Sequence, residues 1–250
     1  LKLHQASEDQ VLKLWQGLGY YSRARNMKIA AKQIMENFNG VFPTTYKDII
    51  GLKGIGPYTA AAIASLAFDL PHAVVDGNVY RVLSRFYGVD LPINSTEGQK
   101  KFNQLAHEVM DKKSIGTYNQ AIMEFGALYC KPQNPDCDHC PLSSACEAKS
   151  SDRVSQLPVK IKKLNIKNRY LNFFLLSNGK EILIEKRDYL NIWKGLYQLP
   201  VIETEEPITE KALLEHENFV SLLKSQNFEV FSVKEMQHKL THRLLFIRFF

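Results

Sequence analysis

The sequence predicts a multi-domain chain: an all-α domain over residues 1–150, a basic linker over 151–169 and a smaller α+β domain over 170–250. Three observations predict it. Apolar residues recur at three- and four-residue steps through the first 129 residues, the period of amphipathic helices. After a cluster of cysteines the texture changes to short β-branched and aromatic runs bounded by turn residues. Between the two, Ser151–Tyr170 holds six basic residues (Arg153, Lys160, Lys162, Lys163, Lys167, Arg169) against Asp152 alone.

The helical period covers Asp9–Leu18, Met27–Phe38, Tyr58–Phe68, Val79–Tyr87, Gly98–Met110 and Tyr118–Tyr129. Asn39-Gly40, Pro43, Gly54, Gly56-Pro57, Pro71 and Pro92 punctuate it. Thr44 or Thr45 can cap a short helix over Tyr46–Ile50, and Ser95 or Thr96 the long one that follows Pro92. In the second domain, Leu171–Leu176, Glu181–Glu185 and Leu244–Phe250 read as strands, with a turn at Asn178-Gly179 and a helix over Thr209–Gln226.

With 250 residues, 45% of them hydrophobic, the chain can bury real cores. The 32 Lys and Arg against 26 Asp and Glu give a net +6, a mild basic bias. Its location says more than its size. Residues 1–150 carry 16 basic and 14 acidic side chains, and 171–250 carry 10 and 11. The excess therefore sits in the linker, which is either solvated or a strap along phosphates. No signal peptide or membrane-spanning run is recognised.

Four cysteines, Cys130, Cys137, Cys140 and Cys146, follow the spacing C-x6-C-x2-C-x5-C, and there are no others. Such concentration assigns the thiols one shared job, and an inorganic centre fits better than disulfides. All-cysteine zinc usually shows two C-x2-C knuckles, and here only Cys137 and Cys140 make one. The wide outer gaps suit a bulkier [4Fe–4S] cube, and zinc stays open on spacing alone.

Two further segments carry chemistry. Leu52–Ala60 joins a short helix to a long one through Gly54-Ile55-Gly56. Glycines let a partner approach the backbone, and the amides opening the second helix form an anion site, though a plain helix–helix turn would look the same. About twenty residues on stands Val75-Asp76-Gly77-Asn78-Val79, where Asp76 either merely caps the next helix or serves a site.

Together these segments resemble the helix-hairpin-helix DNA glycosylase superfamily. The hairpin, the V-D-G-N-V-x-R-V run and the cysteine loop occur in this order in its endonuclease III and MutY branches. The resemblance implies a [4Fe–4S] cluster on Cys130, Cys137, Cys140 and Cys146 rather than zinc. One position separates the branches: the lyases carry a Schiff-base lysine right after the hairpin, and here Tyr58 stands there. A phenol cannot form an imine with a sugar aldehyde. G-P-Y-T, W-Q-G-L-G-Y-Y-S-R-A-R-N at Trp15–Asn26 and N-Q-A at Asn119–Ala121 resemble the adenine-glycosylase branch.

That branch implies a monofunctional glycosylase of base excision repair, hydrolysing the bond to adenine mispaired with 8-oxoguanine or guanine in duplex DNA. By the same resemblance Asp76 is the carboxylate that stabilises positive charge on the sugar, and its capping bonds would orient it. Tyr58 lines the same pocket, and Gln120 faces the extruded adenine. Tyr20 is a wedge entering the base stack, unless it packs in a core. Arg23 and Arg25 contact phosphates or lie on a solvated face. Lys53, Gly54, Gly56 and Asn78 are expected on the DNA-facing surface. A monomeric, cytoplasmic bacterial protein without membrane attachment is expected.

The branch's general acid is a glutamate in a helix upstream of residue 1, in a context that Glu8 does not reproduce. The expectation is a fragment truncated at both ends, nearly inactive alone because general acid catalysis is worth roughly 10²–10⁴-fold. Two other readings stand beside it: an endonuclease III-like lyase, and a lesion-binding module without catalysis.

In the second domain, Glu181–Arg187 with Ile192–Pro200 resembles the opening of a Nudix fold. The spacing of Glu203, Glu205 and Glu206 departs from that fold's metal-binding core, so no catalytic metal is expected there. Gln237–Arg243 resembles the adenine-glycosylase loop that contacts 8-oxoguanine, with Leu240, Thr241 and His242 in the contact positions. The plain alternative is a polar hairpin before a strand.

Overall fold

The computed structural model describes residues 1–161, 166–187, 193–223, 229–230, 233–240 and 242–250. By its internal contacts the chain divides into two compact units: Leu1–Trp15 with Ser22–Lys162, and Gln16–Tyr21 with Lys163–Phe250.

The first unit is helical: α1 (Lys2–Gln5), α2 (Glu8–Leu14), α3 (Ser22–Asn37), α4 (Tyr46–Ile50), α5 (Pro57–Phe68), α6 (Gly77–Phe86), α7 (Thr96–Val109), α8 (Ile115–Leu128) and α9 (Glu147–Ser150). Side chains mark several starts. Ser7 and Gln10 form a reciprocal capping box on α2, Thr45 caps α4, and Ser95 caps α7. The helical period predicted for Asp9–Leu18 stops at Leu14. Gly17 and Gly19 adopt φ of +88° and +64°, which turn the chain out of a helix.

Val79 and Leu83 of α6, Phe102, Leu105 and Ala106 of α7, and Ile115 of α8 make one buried cluster. Burying a side chain such as Phe102 stabilises by roughly 1.5–3 kcal/mol. Helix α8 is the spine, packing against both α5 and α6. Two glycines permit it. A Cβ on Gly116 would lie 2.9 Å from the Ser65 carbonyl oxygen on α5, and one on Gly126 would lie 2.7 Å from the Asn78 Cβ on α6.

The first half of the basic stretch is fastened to this unit. Arg85 Nε donates to the Leu157 carbonyl at 3.0 Å, the Ile93 amide to Val159 at 3.0 Å, and Asn94 exchanges two hydrogen bonds with Ile161. Arg153 pairs with Asp90 at 3.2 Å. Lys162 and Lys163 lie outside the described residues.

The second unit contains β1 (Lys167–Phe173), β2 (Glu185–Lys186), β3 (Tyr197–Gln198), β4 (Val201–Thr204), α10 (Glu210–Leu214), α11 (Glu217–Leu223), β5 (Lys234–Leu240) and β6 (Arg243–Phe249). The mixed four-stranded sheet runs β4-β1-β6-β5, with β1 and β6 parallel and the other neighbours antiparallel. Leu171, Phe173, Leu245 and Ile247 form one cluster, and Phe174, Ile202, Leu213 and Phe219 another. Three stretches differ from expectation. The strand read over Glu181–Glu185 is reduced to Glu185–Lys186, with an isolated bridge between Ser177 and Ile182. The Thr209–Gln226 helix breaks at Glu215-His216, and its residues 224–226 lie outside the described set. Strand β5 has no alternating apolar face, since all of it but Leu240 is exposed; backbone pairing with β6 recruits it.

Candidate functional site

The turn between α4 and α5 is held from outside. Gln33 of α3 accepts the Lys53 amide at 2.7 Å and donates to the Gly51 carbonyl at 3.3 Å. Gly54 needs to be glycine for two reasons: its φ is +85°, and a Cβ would lie 2.6 Å from the Asn26 Cβ. Gly56 is different. Its backbone is extended and a Cβ would meet nothing within 4 Å, so this side of the turn is open. Gly56 caps α5 without a side-chain hydrogen bond, which leaves the first amides to another acceptor. Lys53 is exposed beside them, and Tyr58, at the second helical position, is 47% exposed.

Asp76 caps α6. Its Oδ1 accepts the Asn78 and Val79 amides, both at 2.8 Å, and its Oδ2 accepts Asn78 Nδ2 at 2.9 Å. Three donors fix both oxygens of a half-buried carboxylate. Behind it the polar chain continues. Asn78 Oδ1 accepts Arg81 Nη2 at 2.9 Å, and Arg81 also donates to the Gly126 carbonyl at 2.5 Å and the Cys130 carbonyl at 2.6 Å. Burial pushes the Arg81 guanidinium below its ordinary value while Cys130 and Asp76 oppose that; it remains a cation. Both ends of the Asn78 amide are thus engaged within the protein.

Arg85, one turn on and 3% exposed, reaches the cysteine loop. It donates to the Lys131 carbonyl at 2.7 Å, the Pro132 carbonyl at 3.1 Å and the Cys130 sulfur at 3.5 Å. The four cysteines, none of them in a disulfide, line one cavity together with Arg85 and Lys149. Burial raises the Cys137 thiol first, and then the nearby Cys130, Cys140 and Cys146 add to it, so the four sulfurs share one electrostatic neighbourhood. Lys149 ties the loop together through the Cys137 carbonyl, Asp138 and Ser143. Among the described residues no group of three or more His, Cys, Asp or Glu side chains is placed to hold a metal ion.

The remaining predicted residues are dispersed. Gln120 lies exposed on α8 and donates through Nε2 to Glu124 at 2.7 Å. Tyr20 is 75% exposed with φ of +47°, so it is not a core residue. The Arg23 guanidinium sits over the Trp15 ring at 5.4 Å, and Arg25 is half-buried. Leu240 closes β5 opposite Arg243 and packs on the second unit's sheet core. His242 is exposed, and its carbonyl accepts the Lys167 amide at 3.1 Å. Thr241 lies outside the described residues. Glu203 is ion-paired with Arg169. Gln33, Arg81 and Arg85 were missed by the sequence reading. Arg81 stands in the V-D-G-N-V-x-R-V run without a role read for it, and the signal for Arg85 was a charged residue on the buried face of the same helix.

Residues 2–109 match the model of the HhH-GPD superfamily of base excision DNA repair proteins. The adenine DNA glycosylase of Buchnera aphidicola subsp. Schizaphis graminum is 35% identical over 245 residues, 98% of this chain and 69% of the relative. That of Buchnera aphidicola subsp. Baizongia pistaciae is 36% identical over 244 residues, 96% of this chain and 66% of the relative, so the chain spans about two thirds of both. The human adenine DNA glycosylase is 42% identical over 156 residues, 62% of this chain and 29% of the relative. Among solved structures, a thermostable thymine-DNA glycosylase superposes with a TM-score of 0.55 at 29% identity, covering 60% of this chain and 69% of its own. Endonuclease III in a non-covalent DNA complex gives 0.53 at 23% identity over 60% of this chain and 69% of its own, which speaks for the fold alone. The family match over residues 2–109 and a relative 35% identical over 98% of this chain show it: the chain belongs to the adenine DNA glycosylases of the HhH-GPD superfamily.

Proposed function

We propose that this chain acts in base excision repair as an adenine DNA glycosylase, cleaving the N-glycosidic bond of adenine opposite 8-oxoguanine or guanine. One observation carries it: three hydrogen bonds from α6 hold both oxygens of Asp76. Glycosidic cleavage builds positive charge on the sugar, and a carboxylate that need not reorganise stabilises that charge. Tyr58 replaces the nucleophilic lysine of a lyase, so hydrolysis without a covalent imine follows. Gln120 offers an amide for the edge of an extruded adenine. The uncapped first turn of α5 and Lys53 suit a DNA phosphate, and exposed Tyr20 suits a wedge in the base stack.

The four thiols fit a [4Fe–4S] cluster. They line one cavity, and the Arg85 and Lys149 cations beside it suit an anionic cluster–thiolate core. The cluster would brace the loop, whose prolines stiffen a segment with little core of its own. Iron and acid-labile sulfide in equal amounts are expected in the purified protein; zinc alone would refute the assignment. In the second unit, the mixed sheet supports a Nudix-like reading, with Leu240, Thr241 and His242 as the residues that meet 8-oxoguanine. The pairing of Glu203 with Arg169 agrees with recognition rather than metal chemistry there.

Binding to duplexes with an abasic mimic opposite 8-oxoguanine tests the central claim independently of leaving-base protonation. A cationic pyrrolidine mimic should bind about 10²-fold or more tighter than a neutral tetrahydrofuran one. Asp76→Asn should erase that preference and keep the neutral affinity. A preference that survives Asp76→Asn removes Asp76 from the proposed role. Efficient borohydride capture on abasic DNA would instead favour a lyase.

A further inference from the structure

The segment that delivers Asp76 belongs to no helix or sheet. Ala73 and Val74 are buried, 5% and 1% exposed, so their backbone groups need partners that strands would normally supply. Side chains supply them. Asn119 of α8, itself 1% exposed, accepts the Val74 amide through Oδ1 at 3.1 Å and donates through Nδ2 to the His72 carbonyl at 2.9 Å. Its amide thus makes the donor–acceptor pair that a neighbouring strand would make. From α7, His107 Nε2 accepts the Ala73 amide at 3.4 Å, and its Nδ1 faces the Asn103 carbonyl at 2.8 Å. That pairing requires the neutral tautomer with the proton on Nδ1.

We infer that Asn119 is a positioning residue: its buried amide sets where the 72–76 segment lies along α8, and so the placement of the Asp76 carboxylate relative to Gln120. The inference rests on the role proposed above for Asp76 and deepens it. Two facts give it reach. Asn119 directly precedes Gln120 on α8, so one helix carries both the proposed adenine-facing amide and the clamp on the Asp76 segment. The far side of Asp76 is tied to the same helix, because Asn78 is linked by Arg81 to the Gly126 carbonyl. Helix α8 therefore holds the carboxylate from before and after, and Asn119 makes the upstream hold. A side chain that only satisfied buried backbone would have no effect specific to charge on the sugar.

The test uses the cationic and neutral abasic duplexes. Asn119→Asp keeps the shape and the acceptor for Val74 but loses the donor to His72; Asn119→Leu loses both. The ratio of cationic to neutral affinity is expected to fall about tenfold or more, since displacements of an ångström cost on that order or above, while neutral affinity stays within about threefold of wild type. A merely structural loss would lower both affinities together. An unchanged ratio in either well-behaved variant overturns the inference, as does collapse of neutral affinity in both, which would mean that the amide holds the fold rather than the site. A wild-type chain without any cation preference, or one that keeps it in Asp76→Asn, refutes the proposed function itself and is recognisable before Asn119 is changed.

Discussion

The residues around Asp76 and those of the hairpin between β5 and β6 are both rich in polar groups, yet they are held in opposite ways. Asp76, Asn78 and Arg81 spend their polar atoms on one another and on backbone groups of α6, α8 and the cysteine loop. The hairpin strand β5 exposes every side chain except Leu240 and is secured by backbone pairing with β6. The difference follows from the two jobs proposed. A group that must meet transition-state charge gains from being fixed beforehand, because reorganisation during the reaction costs rate. A surface that reads a partner can leave its polar groups to solvent, and the partner replaces water when it binds.

The contrast is broken most severely at Asp76. In a chain that also carries the upstream general-acid glutamate, Asp76→Asn should lower adenine release by on the order of 10²–10³-fold, the cost of removing one preorganised electrostatic group, with little change in lesion-duplex affinity. Retained release would make Asp76 an ordinary cap. Next comes the network behind it. Arg81→Met leaves the Gly126 and Cys130 carbonyls without their donor and should cost about 2–4 kcal/mol in denaturant unfolding. A loss under about 1 kcal/mol would mean that water takes over the guanidinium's role. Gly126→Ala should cost about 1–3 kcal/mol by pressing a methyl onto Asn78, and adenine release should fall with stability.

Acid should act on the helical region before the hairpin. Burial first, and then His107, hold the His72 imidazole below its ordinary value of 6.5. The folded state therefore resists a proton that the unfolded chain accepts. This contribution is fully present above about pH 6.5 and is lost as pH falls from there toward the folded-state value. Removing it, as in His72→Gln, should flatten the fall in unfolding midpoint between pH 7 and 5. The smallest effect belongs to the hairpin: His242→Ala should leave stability within about 0.5 kcal/mol and lower the preference for 8-oxoguanine over guanine only a few-fold. A large stability loss there would erase the distinction between the two regions.

Much of this was legible in the residues themselves. Helix starts at Thr45, Ser95 and Asp76 depend on side-chain oxygens within three residues of the amides they accept, and such local pairings survive translation from sequence to structure. The end of α2 was misjudged because the apolar period ran on through Gly17, whose positive φ overrides it. Strand β5 was invisible because Lys234–Leu240 carries no face to bury, and only its partner β6 makes it a strand. For the same reason the grip of Asn94 and Arg85 on residues 157–161 could not be read from a basic stretch that looked like a linker.

The sequence by itself determined the helical and mixed α/β classes, the kinship, the four-thiol loop and the candidate carboxylate, because each is carried by periodicity or by residues close together in the chain. Only the tertiary structure decided how Asp76 is held. Asn119 stands 45 residues from Val74, and Arg81 stands 49 from Cys130. Buried backbone groups accept any donor or acceptor that folding brings near, and no local pattern marks which distant side chain that will be.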